Sequence, residues 1–110
     1  MRVLKVSVSF MLAIAVLLIG GCSPAPQRHA VYTVEIRDMK FVPERIIVNK
    51  GDTIKWINND MVAHDITEQP GKSWSSGSLA SGGTWKLVVS KSADYYCSIH
   101  TVMTGKIEVN

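Results

Sequence analysis

Cysteine is scarce in this chain: Cys22 and Cys97 are the two among 110 residues, so no disulfide framework holds it together. A strong excess of one charge is also missing. There are 12 Lys plus Arg against 9 Asp plus Glu, and Arg2 and Lys5 at the N-terminus leave 10 against 9 for the rest. That balance gives no electrostatic basis for binding nucleic acid or a polybasic contact with a membrane surface. Charged residues make up 19% against 46% hydrophobic, which excludes disorder for the bulk of the chain. Beyond the N-terminus no stretch of ten or more residues carries amphipathic helical spacing. Internal repeats and low-complexity segments are absent. The length allows one small domain with a single core.

What the N-terminus has is the layout of an export signal. Arg2 and Lys5 precede a mostly apolar run from Val6 to Ile19, a charged region followed by a hydrophobic one. The run ends in Leu18-Ile19-Gly20-Gly21-Cys22, which resembles the bacterial lipoprotein cleavage box. The resemblance implies a signal peptide over 1–21 and lipidation of Cys22, whose acyl chains anchor the chain to a membrane at roughly 0.8 kcal/mol per buried methylene. Ordinary secretion and an uncleaved anchor also fit this segment, since the run is near the lower length limit for spanning a bilayer. Residues 22–30, with Pro24 and Pro26 and no periodicity, read as a flexible tether in which His29 is solvated.

Residues 31–110 alternate with period two. Val31–Arg37, Ile46–Val48 and Thr53–Asn58 read as strands, with Asn49-Lys50-Gly51-Asp52 as the turn between the last two. Further strands are expected at Ala63–Thr67, Thr84–Val89, Asp94–Cys97 and Gly105–Val109, and Gln69–Gly83 as a long irregular connection. Short, closely spaced strands of this kind indicate an all-β sandwich or barrel. So small a core is marginal, and a bound metal is one way to staple it.

With Cys22 consumed by lipid, Cys97 stands alone in an oxidising compartment, where a leftover thiol calls for a reason. Its neighbours supply one. Cys97, His100 and Met103 recur at intervals of three inside a loop between two expected strands, and His64 lies 33 residues upstream of Cys97 at another strand end. Two imidazoles, one thiolate and a weak thioether are the ligand set of a mononuclear blue-copper centre. Soft sulfur suits Cu(I) and imidazole suits Cu(II), so such a site changes oxidation state with little rearrangement. Met11, Met39 and Met61 are read as core residues, with Met61 near enough to His64 to line the site.

The segment resembles the cupredoxins, in particular the plastocyanin and amicyanin branch. The likeness is carried by Phe41-Val42-Pro43, Ile46-Ile47-Val48, Gly51-Asp52-Thr53-Ile54-Lys55-Trp56-Ile57-Asn58, Ser76-Gly77-Ser78-Leu79, Gly82-Gly83-Thr84 and the short Cys97–Met103 loop. It implies a Greek-key β-sandwich or barrel of about seven to eight strands over 31–110. It implies one copper ion held by His64, Cys97, His100 and Met103, with His100 as the surface electron port amid an apolar rim of Val102, Met61 and Val62. The family commonly has Asn after the first His, tying the two ligand loops together. Here that neighbour is Asp65, which accepts such bonds but cannot donate them as an amide does.

The resulting expectation is a monomeric electron carrier on the periplasmic or extracytoplasmic face of a bacterial membrane. It is not an enzyme: it would exchange electrons with redox proteins and take neither a small-molecule substrate nor nucleic acid. A copper-storage or copper-delivery lipoprotein of the same fold is the alternative. A zinc site fits less well, because a thioether is a poor zinc ligand. A metal-free adhesion module leaves the Cys, His and Met spacing unexplained.

Overall fold

The computed structural model describes Val3, Gly20, Gly21 and residues 25–110. The signal segment and Cys22 therefore lie outside the described residues, apart from those two glycines and Val3. Among the described residues there are eight strands and no helix: β1 (Val31–Arg37), β2 (Lys40–Val42), β3 (Arg45–Val48), β4 (Thr53–Asn58), β5 (Thr67–Gln69), β6 (Thr84–Val88), β7 (Ala93–Tyr96) and β8 (Thr104–Val109). They form two four-stranded sheets, β2-β1-β4-β6 and β3-β8-β7-β5. This is the all-β sandwich that the alternation predicts.

Alternation sets which face is inside. Val34 and Ile36 of β1, and Ile54 and Trp56 of β4, point inward from the first sheet, while Ile46, Val48, Tyr95 and Ile107 meet them from the second. β1 and β4 run parallel, as do β3 and β8, so both pairs need crossover connections rather than hairpins. Tyr95 folds over its cross-strand partner Gly105. A Cβ at position 105 would come within 2.1 Å of the Tyr95 ring, so only glycine fits there. Trp56 and Tyr95 pack edge to face at 5.5 Å. Trp56 Nε1 and the Tyr95 hydroxyl are buried without hydrogen-bond partners, and desolvation pushes the phenol up to about 12.

The expected turn Asn49–Asp52 joins β3 to β4 and carries the chain from one sheet to the other, because β3 pairs with β8 and β4 with β1 and β6. Gly51 makes the crossing with φ +93°, and the buried Asp52 carboxylate accepts from Asn49 N and Ala30 N at 2.9 and 2.8 Å. The segment Ala63–Thr67 is not a strand. His64 makes one isolated bridge to Leu79, and pairing with β7 starts at Thr67. β2 was not expected. It follows a two-residue turn, Asp38-Met39, with φ 52° and 60°, the geometry of a type I′ hairpin without the glycine that usually signals it. Finally, His29 is not simply solvated: its ring lies where a Cβ on Gly51 would sit, and its Nδ1 is 3.9 Å from Asp52 Oδ1.

Candidate metal centre

The site lies at one end of the sandwich, where β4 runs out toward His64 and β7 hands over to β8. His64 N donates to Leu79 O at 3.1 Å and Leu79 N to His64 O at 2.7 Å, which holds the residue rigidly, and its side chain is fully buried. Cys97 immediately follows β7 and is likewise buried and free of any disulfide. The Cys97–Met103 loop closes on itself: Cys97 N donates to Met103 O at 3.0 Å, and Met103 N to His100 O at 2.9 Å. That double closure is what a three-residue ligand spacing needs to turn its side chains toward one point.

Three of the four expected ligands converge. Cys97 Sγ stands 3.8 Å from His64 Nδ1 and 3.9 Å from His100 Nδ1, and the donor atoms of all three lie within 4.8 Å of one another. Atoms held about 2.0–2.3 Å from one ion lie roughly 3.5 Å apart, so these separations fit a single ion between them. Met103 is buried in the same loop, while His100 is half-buried. Asp65 N–H points at Cys97 Sγ from 3.4 Å, a donor suited to a thiolate in a buried setting. The donor set, one soft sulfur and two imidazoles, fits copper. Among the described residues no other cluster of His, Cys, Asp and Glu is placed to hold a metal.

Asp65 ties the loops together as an acceptor. Its Oδ1 takes Ser98 N–H at 2.7 Å and Thr67 Oγ1–H at 3.1 Å, and Oδ2 takes the Ser98 hydroxyl. A carboxylate suffices here because every group facing it donates. The expected rim is exposed: Met61, Val62 and Val102, joined by Ile99, which the sequence reading did not single out. Met61 and Met39 are thus surface residues and not core, because both sit in loop or turn positions that no sheet covers.

Sequence reasoning missed Asp60. Its Oδ2 lies 2.8 Å from His64 Nε2, and its two oxygens accept Asp38 N–H at 2.7 Å and Met39 N–H at 3.0 Å. Burial raises the Asp60 pKa, but the Met39 N–H, His64 and the Asp38 N–H outweigh it and hold the carboxyl below its ordinary value. The one signal available was an acid four residues before a candidate ligand.

A model of copper binding proteins of the plastocyanin/azurin family matches residues 28–110. Amicyanin of Paracoccus versutus is 23% identical over 82 residues, 69% of this chain, and the chain spans 62% of that relative's length. An oxidised amicyanin carrying a proline-to-alanine substitution superposes with a TM-score of 0.68 at 26% identity, over 73% of this chain and 82% of that one. A purple cupredoxin from Nitrosopumilus maritimus shares the fold, with a TM-score of 0.66 at 22% identity, over 72% and 99% of the two chains.

Proposed function

The chain belongs to the plastocyanin/azurin family of copper-binding proteins, and on that premise we propose that it is a mononuclear blue-copper electron carrier of the cell envelope. One copper ion is its cofactor. His64, Cys97 and His100 would hold it, with Met103 as a weak thioether donor. The observation that carries this reading is the convergence of one buried thiol and two imidazole Nδ1 atoms within 4.8 Å.

Bound copper supplies a one-electron couple, Cu(I)/Cu(II). The protein's part is to keep the donors still and dry. His64 and Cys97 are shielded from water, the loop bonds through Asp65 join the two ligand segments, and little has to move when the charge on the site changes. His100, half-buried in a loop whose Ile99 and Val102 are exposed, is the port through which redox protein partners exchange the electron. Burial of His64 and Cys97 favours a carrier over a copper-delivery protein, since handing over the ion needs ligands that a recipient can reach.

Residues 1–21 direct export, lipidated Cys22 anchors the chain at the extracytoplasmic face of a bacterial membrane, and the residues up to Ala30 tether the copper domain to it. The visible spectrum tests the function. The full chain, purified in detergent with one equivalent of Cu(II), turns intensely blue through thiolate-to-copper charge transfer, and Cys97→Ser abolishes the colour. A folded wild-type chain that binds one copper without colour contradicts the proposal.

A further inference from the structure

We propose that Asp60 is a positioning residue for His64, fixing its imidazole as the tautomer protonated at Nε2 so that Nδ1 faces Cys97 with a free lone pair. This rests on the reading of His64 as a copper ligand. Both Asp60 oxygens already act as acceptors, toward Asp38 N–H and Met39 N–H, and at the 2.8 Å contact between Asp60 Oδ2 and His64 Nε2 we assign the ring nitrogen as the donor. A neutral imidazole that donates from Nε2 carries no proton on Nδ1, the atom 3.8 Å from Cys97 Sγ. Carboxylate partners of this kind orient metal-binding histidines and raise their basicity.

Asp60 is itself held by three hydrogen bonds, two to its carboxylate and one from its backbone. Asp38 N–H and Met39 N–H bind its two oxygens, and Asp60 N–H donates to Asn58 Oδ1 at 3.0 Å. The buried Asn58 amide donates to Val62 O and Leu79 O, and Leu79 is the residue that clamps the His64 backbone. The end of β4, the His64 loop and the β1–β2 turn are one hydrogen-bonded unit with the imidazole at its centre.

This gives the unusual turn a purpose. Asp38 and Met39 are consecutive non-glycine residues in the left-handed region, at φ 52° and 60°, a conformation that residues with a Cβ rarely adopt. It sets two successive N–H groups on one anion, as in the anion-binding nests of backbone turns. A turn that only reversed the chain would have no need to aim both donors at a carboxylate from another loop.

The test uses the metal-free and copper-loaded full chain in detergent. Long-range 1H–15N correlation spectra of metal-free wild type, taken where imidazole is neutral, show His64 protonated at Nε2; protonation at Nδ1 overturns the proposal without any variant. Asp60→Ala gives a mixture of tautomers, a 10- to 100-fold loss of copper affinity and a higher reduction potential, because a negative charge beside the ligand is gone. An unchanged tautomer with copper affinity within twofold of wild type, even at a lower melting temperature, makes Asp60 only a cap for the turn. A wild-type chain that stays colourless with Cu(II) refutes the blue-copper reading instead, and the tautomer measurement remains independent of it.

Discussion

At the scale of single residues, the chemistry of this site is a matter of which groups can donate and which can only accept. Asp65 is surrounded by donors, Ser98 N–H, the Ser98 hydroxyl and the Thr67 hydroxyl, so it replaces an amide in tying the loops without leaving a group unpaired. What it adds is charge. Asp65→Asn keeps an oxygen for Ser98 N–H but removes the carboxylate's preference for Cu(II). At roughly 8 Å and an effective dielectric of about 20, one charge is worth about 2 kcal/mol before screening. With tenfold in equilibrium equal to about 59 mV for one electron, the expected rise in potential is some tens of millivolts. Voltammetry of both proteins at neutral pH measures it, and an unchanged potential shows that solvent screens the charge completely. Three of the four proposed ligands were legible because Cys97, His100 and Met103 recur at a fixed short interval, and His64, 33 residues upstream of Cys97, was legible as the second imidazole of that set. Asp60 was not, since a contact between two loop residues and a distant turn follows no period.

The elements show the same division between pattern and contact. β1 and β4 are found where alternation places them, Val31–Arg37 and Thr53–Asn58, because each buries every second side chain over six or seven residues. Ala63–Thr67 misled because Ile66 is buried in the core and His64 at the site, while before Thr67 the segment pairs only through the isolated bridge of His64 to Leu79. β2 escaped notice because Asp38-Met39 lacks a glycine. The sheet-switching turn is the element whose stability depends most clearly on pH. Backbone N–H groups of Asn49 and Ala30, aided by His29, hold the Asp52 carboxyl below its ordinary value against the opposing effect of burial. Its folded pKa is depressed, so its contribution is present above the unfolded pKa of about 3.9 and is lost as pH falls through the folded value. Asp52→Asn is therefore expected to lower the melting temperature by several degrees at pH 7, with the gap to wild type narrowing below about pH 4. Thermal unfolding of both proteins across that range checks it, and a gap that does not depend on pH removes the carboxylate from the explanation.

Across the whole molecule, two small sheets with no disulfide among the described residues enclose a modest core, and the cluster of His64, Cys97 and His100 brings together segments far apart in the chain. An ion that binds only the folded state adds about 2.7 kcal/mol at a free concentration 100-fold above its Kd. For a domain of this size each kcal/mol is worth roughly 4–8 °C, so copper is expected to raise the melting temperature by roughly 10–20 °C. Calorimetry with and without one equivalent reads the shift, and an unmoved midpoint means that the ion sits outside the His64, Cys97 and His100 cluster. Whether this molecule carries electrons and keeps its metal is read from repeated redox cycling of the copper-loaded full chain. The expected result is a reversible one-electron wave, with a blue colour that bleaches on reduction and returns in full on oxidation and one copper per chain retained throughout. Loss of copper to a chelator on each reduction, or a colour that does not return, would contradict it.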